Sequence, residues 1–114
     1  IGPGQVIVVA VSAQAFQSRY GLRPSFELAG TDPLVPDMVP DPTWGQGTWN
    51  LNNTQDEVML RGPDGEVDRV EWGTAPRCSA PPRGQSLERF PAPRDTDACA
   101  DWRVQPVPSP GSVP

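Results

Sequence analysis

The sequence predicts a small all-β domain with one short helix and long Pro-rich loops. Three observations carry that reading. The run Gln5 to Val11 (QVIVVAV) is near-continuous in β-branched residues, the pattern of a strand buried on both faces. The stretch EVMLRGPDGEVDRVEW places a turn signal between two strand-like segments. Finally, 16 Pro and 11 Gly in 114 residues leave little room for long regular elements.

The elements follow in order. After the first strand, Ser12 is a good N-cap, Phe16 and Tyr20 sit four apart, and Gly21 is a stop signal. The spacing predicts a helix of about two turns over Ala13 to Tyr20, with its aromatics pinning it to a sheet edge. A short strand is expected around Phe26. From Gly30 to Gln46 the prolines at 33, 36, 40 and 42 predict an extended surface loop. Trp49 and Leu51 open the next ordered piece, and Asn52, Asn53 and Thr54 make a turn.

In the hairpin, Pro63, Asp64 and Gly65 suit a type I turn followed by a left-handed glycine, a three-residue loop with a bulge. That register pairs Gly62 with Glu66, Leu60 with Asp68, Val58 with Val70 and Asp56 with Trp72. The face holding Val58, Leu60, Val70 and Trp72 should look inward, because the opposite face carries Glu57, Arg61, Arg69 and Glu71. Asp56 and Asp68 share the inward face, so each needs backbone N–H groups or an Arg as partner. Gln85 to Phe90 and Trp102 to Val104 read as two more short strands, with an acidic turn over Asp95 to Asp101 between them. The domain is drawn over residues 1–105, and 106–114 as a Pro/Ser-rich tail.

Composition excludes much chemistry. The chain has no His, and all nine basic residues are Arg. Ser–His and Cys–His nucleophile pairs, His metal ligands, Schiff-base lysines and the phosphate-loop lysine are therefore ruled out. A net charge of -5 and scattered arginines speak against nucleic acid and anionic membranes as partners. No apolar run approaches the roughly 20 residues that span a bilayer, so no membrane insertion is expected. The chain opens at Ile1, without a charged-then-apolar leader, and reads as a mature or excised piece.

Cys78 and Cys99 flank a Pro-rich stretch at a spacing that fits neither a zinc site nor a redox CxxC motif. A disulfide between them is expected, and with it an oxidising, extracytoplasmic compartment.

Taken together, several short pieces resemble the lamin-tail domain family. They are Pro3-Gly4-Gln5 leading into VIVVA, Leu51-Asn52-Asn53, the pattern Asp56, Val58, Leu60, Asp64-Gly65 and Val67-Asp68 with Val70, then Gly84-Gln85-Ser86-Leu87-Glu88-Arg89, Asp95-Thr96-Asp97, Asp101-Trp102 and Ser109-Pro110-Gly111. Their order and spacing cover most of residues 3–111. The likeness is greatest to bacterial members, accessory modules of secreted or surface proteins. The resemblance implies an immunoglobulin-like β-sandwich, and the short-strand pattern agrees with it. That family opens with a Glu-Trp-Ile-Glu-Leu-type segment and a Gly-Trp turn, which nothing before Ile1 supplies. The sandwich is therefore expected to lack its first two or three strands. A homodimer completing the sheet by swapping or edge pairing, or a neighbouring segment of the parent protein, is expected to fill the gap.

Among candidate sites, Asp95, Asp97 and Asp101 carry oxygens of the kind that ligate Ca²⁺, but the full EF-hand set is missing. A turn capped by its own carboxylates is the favoured reading. Trp44, in DPTWGQGTW, is the candidate ligand platform for sugar or peptide. Trp49, Trp72 and Trp102 fall on strand-like segments and are assigned to the core. The expected function is a non-catalytic structural or protein-interaction module of an exported protein, with no cofactor. The alternative is a carbohydrate-binding module acting through Trp44.

Overall fold

The computed structural model describes residues 1–43 and 50–113. Trp44 and Trp49 lie outside the described residues, so the ligand platform and one core assignment fall there too. The chain clusters into two compact units, residues 1–50 with 110–113, and residues 51–109.

In the first unit, β1 (Val9–Ala10) runs parallel to β2 (Phe26–Glu27), and α1 (Ala13–Tyr20) forms the crossover between them. Parallel strands need a long connection, and a helix supplies it. Ser12 Oγ accepts the Ala15 N–H at 3.2 Å, capping the helix start. Gly21, at φ 70, ends it and donates its N–H to Gln17 O at 2.8 Å. Phe16 and Tyr20 stack at 4.8 Å between centroids, but Tyr20 remains 37% exposed and it is Ala13 that is buried. β2 bonds on its far side as well: the Glu27 N–H donates to Pro36 O and the Met38 N–H to Glu27 O.

In the second unit, β3 (Asp56–Gly62) and β4 (Gly65–Trp72) form the antiparallel hairpin. The pairs Asp56–Trp72, Val58–Val70 and Leu60–Asp68 are those read from the sequence. At the tip the register differs, with Gly62 opposite Gly65 and Arg61 opposite Glu66. The loop is the two residues Pro63 and Asp64, and the extra residue is Val67, two residues beyond the expected Gly65. A Pro at the first corner forbids the turn types whose twist matches the strands. The mismatch is absorbed in β4 by the bulge and by Gly65 at φ 127. Val58, Val70 and Trp72 are the sheltered side of the hairpin, while Leu60 remains 49% exposed. β5 (Ser86–Arg89) and β6 (Trp102–Gln105) form a second antiparallel pair, preceded at β6 by a short 3-10 turn over Cys99–Asp101.

The described residues thus hold three separate two-stranded sheets and one helix, and most of the chain is irregular. The immunoglobulin-like β-sandwich is not formed. A sandwich needs two multistranded antiparallel sheets with apolar inner faces. Here the first sheet is parallel and two residues long, and no ladder joins β3–β4 to β5–β6. Prolines at 76, 81 and 82 interrupt the chain between those two sheets. Among the described residues only Ala13, Val35, Trp72 and Cys78 are buried hydrophobics, too few for two facing layers. The double-sided burial expected of QVIVVAV fails for the same reason: Val6 and Val11 are 44% and 59% exposed.

Candidate functional site: an apolar recess

Two carboxylates are the largest fully buried side chains described, one in each unit. Glu27 sits on β2 with no exposed surface. It accepts the Ala13 N–H at 2.8 Å, the Thr31 hydroxyl at 2.5 Å and the Asp32 N–H at 2.7 Å. Burial alone would raise its pKa. The Thr31 hydroxyl, with the N–H groups of Ala13, Asp32 and Thr31, outweighs burial and holds it down at about 2. Ala13 opens α1, so the negative charge also meets the positive end of the helix. Thr31 Oγ1 reaches Ser12 Oγ at 3.1 Å, and the Gln14 N–H donates to Thr31 at 3.3 Å. The network spends every contact on capping α1 and turning the chain at 31–32.

Asp101 plays the same part in the second unit. It is 2% exposed, accepts the Thr96 N–H at 2.6 Å, and forms an ion pair with Arg94, whose Nε lies 2.7 Å from Oδ1. The Thr96 N–H is the main reason its carboxyl is held below the usual range, with burial opposing. This is a turn capped by its own carboxylate. Among the described residues no group of three or more His, Cys, Asp or Glu is placed to hold a metal ion.

The hairpin aspartates find the partners their positions demand. Asp56 accepts the N–H groups of Asn52 at 2.8 Å and Glu57 at 2.9 Å, which lower its pKa, the Asn52 N–H most of all. Asp68 accepts the Arg69 N–H at 2.7 Å and Arg89 Nη2 at 2.6 Å. Arg89 also reaches Asp95 at 3.4 Å and lies over the Trp102 ring, 4.9 Å from its centroid.

The second unit also holds a recess of about 200 Å³. Val58, Val70 and Trp72 from the hairpin and Leu87 and Trp102 from β5–β6 line it, with Leu51 and Pro81 completing the wall. Trp72 is held by its indole N–H, which donates to Asn52 O at 2.9 Å. Trp102 therefore lines an open surface rather than a sealed core. In the same unit, Cys78 is bonded to Cys99 with Cα atoms 5.1 Å apart. Cys78 extends the edge of β4, its N–H donating to Glu71 O and its carbonyl accepting from Gly73. Cys99 immediately precedes β6, so the disulfide is a covalent tie between the two sheets.

The sequence located Cys78, Cys99, Asp56, Asp68, Trp72 and Trp102, and the structure gathers them in one unit. It did not single out Glu27 or Arg89. The available signal for Glu27 was a lone acid on a strand followed at short range by Thr31 and Asp32, both local hydrogen-bonding residues. Among the described residues no helix is long and apolar enough to cross a membrane. No family model, no curated protein and no solved structure matches the chain.

Proposed function

We propose that the chain is a non-catalytic protein-interaction module of an exported protein, and that the recess of the 51–109 unit is where a partner segment seats. The carrying observation is the recess itself: two tryptophans and five other apolar residues around one opening. The most sheltered carboxylates, Glu27 and Asp101, are fully engaged in local hydrogen bonds and poised in the ionised form. That suits structural anchors and not general acids, which need a raised pKa. The disulfide supports an extracytoplasmic location. The resemblance to bacterial lamin-tail modules supports the same role on its sequence pieces, apart from the sandwich it implies.

The test is selection of binding peptides from a displayed library against the wild-type chain and against Val70→Glu. Apolar peptides that bind the wild type and fail on the folded variant support the reading. Binding to a glycan array that persists in Val70→Glu and disappears in Trp44→Ala transfers the function to the carbohydrate-binding alternative. Hydrolytic turnover by the isolated chain contradicts both.

A further inference from the structure

We propose that Asn52 is an acceptor site for an N-linked oligosaccharide. The inference rests on the exported location proposed above and is independent of what the recess binds. Residues 52–54 read Asn-Asn-Thr, the acceptor pattern of an Asn followed two residues later by Ser or Thr. The chain has three Asn, at 50, 52 and 53, and only Asn52 satisfies the pattern. A proline at the middle position would spoil the site. In a chain with 16 Pro, the stretch from Thr43 to Gly62 contains none.

The geometry suits that chemistry. Residues 51–55 are exposed and lead directly into β3. The backbone of Asn52 is held on both sides. Its N–H donates to Asp56 Oδ2 at 2.8 Å, and its carbonyl accepts the Trp72 indole N–H at 2.9 Å. The acceptor therefore stands at a fixed point of the surface, on a loop anchored to the hairpin. Asn52 Oδ1 accepts the Thr54 N–H at 2.9 Å and the Thr54 hydroxyl at 2.8 Å. This local turn brings together the two side-chain groups that the pattern requires, the carboxamide and the hydroxyl. Both bonds use the carboxamide oxygen, and among the described residues Nδ2 has no hydrogen-bond partner.

The donor is an oligosaccharide joined through its C1 to a lipid pyrophosphate and delivered by a transferase. Asn52 Nδ2 attacks C1, and the N–C1 bond forms as the C1–O bond breaks. The lipid pyrophosphate leaves with the bonding pair, and one amide proton passes to a base of the transferase. Nothing is oxidised or reduced. Oδ1 is untouched, so the turn with Thr54 survives the transfer, as do the backbone bonds to Asp56 and Trp72. The disulfide points to the same side of the membrane as the donor reaction.

The full chain, translated behind a cleavable signal peptide with endoplasmic-reticulum microsomes, tests this in its protease-protected fraction. The wild type is expected to gain one glycan. It is read as a single step in gel mobility, removed by peptide N-glycosidase with conversion of Asn52 to Asp in the peptide mass spectrum. Asn52→Gln and Thr54→Ala are expected to abolish the step, and Thr54→Ser to retain it. None of these readouts requires the variant to fold. A protected wild-type chain without the step overturns the proposal, and so does a step that persists in Asn52→Gln. The microsomes supply the compartment, so either failure counts against Asn52 and not against the exported location.

Discussion

Arg89 Nη2 donates to Asp68 Oδ1 at 2.6 Å, so a side chain of β5 is tied to a side chain of β4 across two sheets that share no backbone ladder. The pair is only partly exposed, at 18% and 31%, and Arg89 is further fixed by Asp95 and the Trp102 ring. A double-mutant cycle of Arg89→Ala and Asp68→Ala should return a coupling of about 1 kcal/mol in urea unfolding. Additive single-mutant effects would show that the bond does not hold the sheets together.

The disulfide makes the same connection covalently. Its loop spans a separation of 21 residues, for which the chain-entropy argument gives roughly 3 kcal/mol. Replacing both cysteines by Ser should lower the unfolding free energy by about that amount and deprotect the Gly73 amide, which donates to the carbonyl of position 78. An unchanged denaturation midpoint would mean that apolar packing alone closes the unit.

Gly73 stands at φ 145, and a Cβ there would lie 2.7 Å from Gln55 Cβ. Both the backbone conformation and the space exclude a side chain. Gly73→Ala should destabilise the 51–109 unit by more than about 1 kcal/mol, read from the urea denaturation midpoint. Gly84, also at positive φ but with open space around it, is the control and should cost less as Ala.

Acid should release the first unit through Glu27. Its carboxyl titrates at about 2 when folded, against an ordinary 4.5. A depressed folded pKa contributes stability that is fully present above the unfolded value and lost as pH falls towards the folded one. The decline therefore runs between about pH 4.5 and pH 2. The protection of the Ala13 and Asp32 amides, measured against their intrinsic exchange rates, should fall across that window in the wild type. In Glu27→Gln those amides should exchange fast at neutral pH already. Protection of Ala13 that is unaffected by the substitution would contradict the role given to this carboxylate.

Legibility followed the range of the forces involved. The helix was readable because Ser12 and Gly21 act within one turn of its ends. The hairpin was readable because Pro63, Asp64 and Gly65 dictate a turn locally, and its register erred only where twist had to be absorbed, at Val67. The partners of Asp56 and Asp68 followed from putting a charge on a sheltered face. The assembly was not readable. Two-residue strands have no period to detect, and the parallel bond between Val9 and Phe26 depends on a crossover that propensity does not specify. Glu27 was missed because a buried charge contradicts the hydropathy pattern, and only the convergence of Ala13, Thr31 and Asp32 makes it stable there. Arg89 reads as a surface residue until β4 and β5 are brought together.

The recess between the hairpin and the β5–β6 pair is the proposed seat of a protein segment. Methyl and indole NMR of the chain, titrated with a library-selected apolar peptide, measures this most directly. The account predicts shifts concentrated on Val58, Val70, Leu87, Trp72 and Trp102. Saturable binding that leaves those resonances unmoved would contradict it.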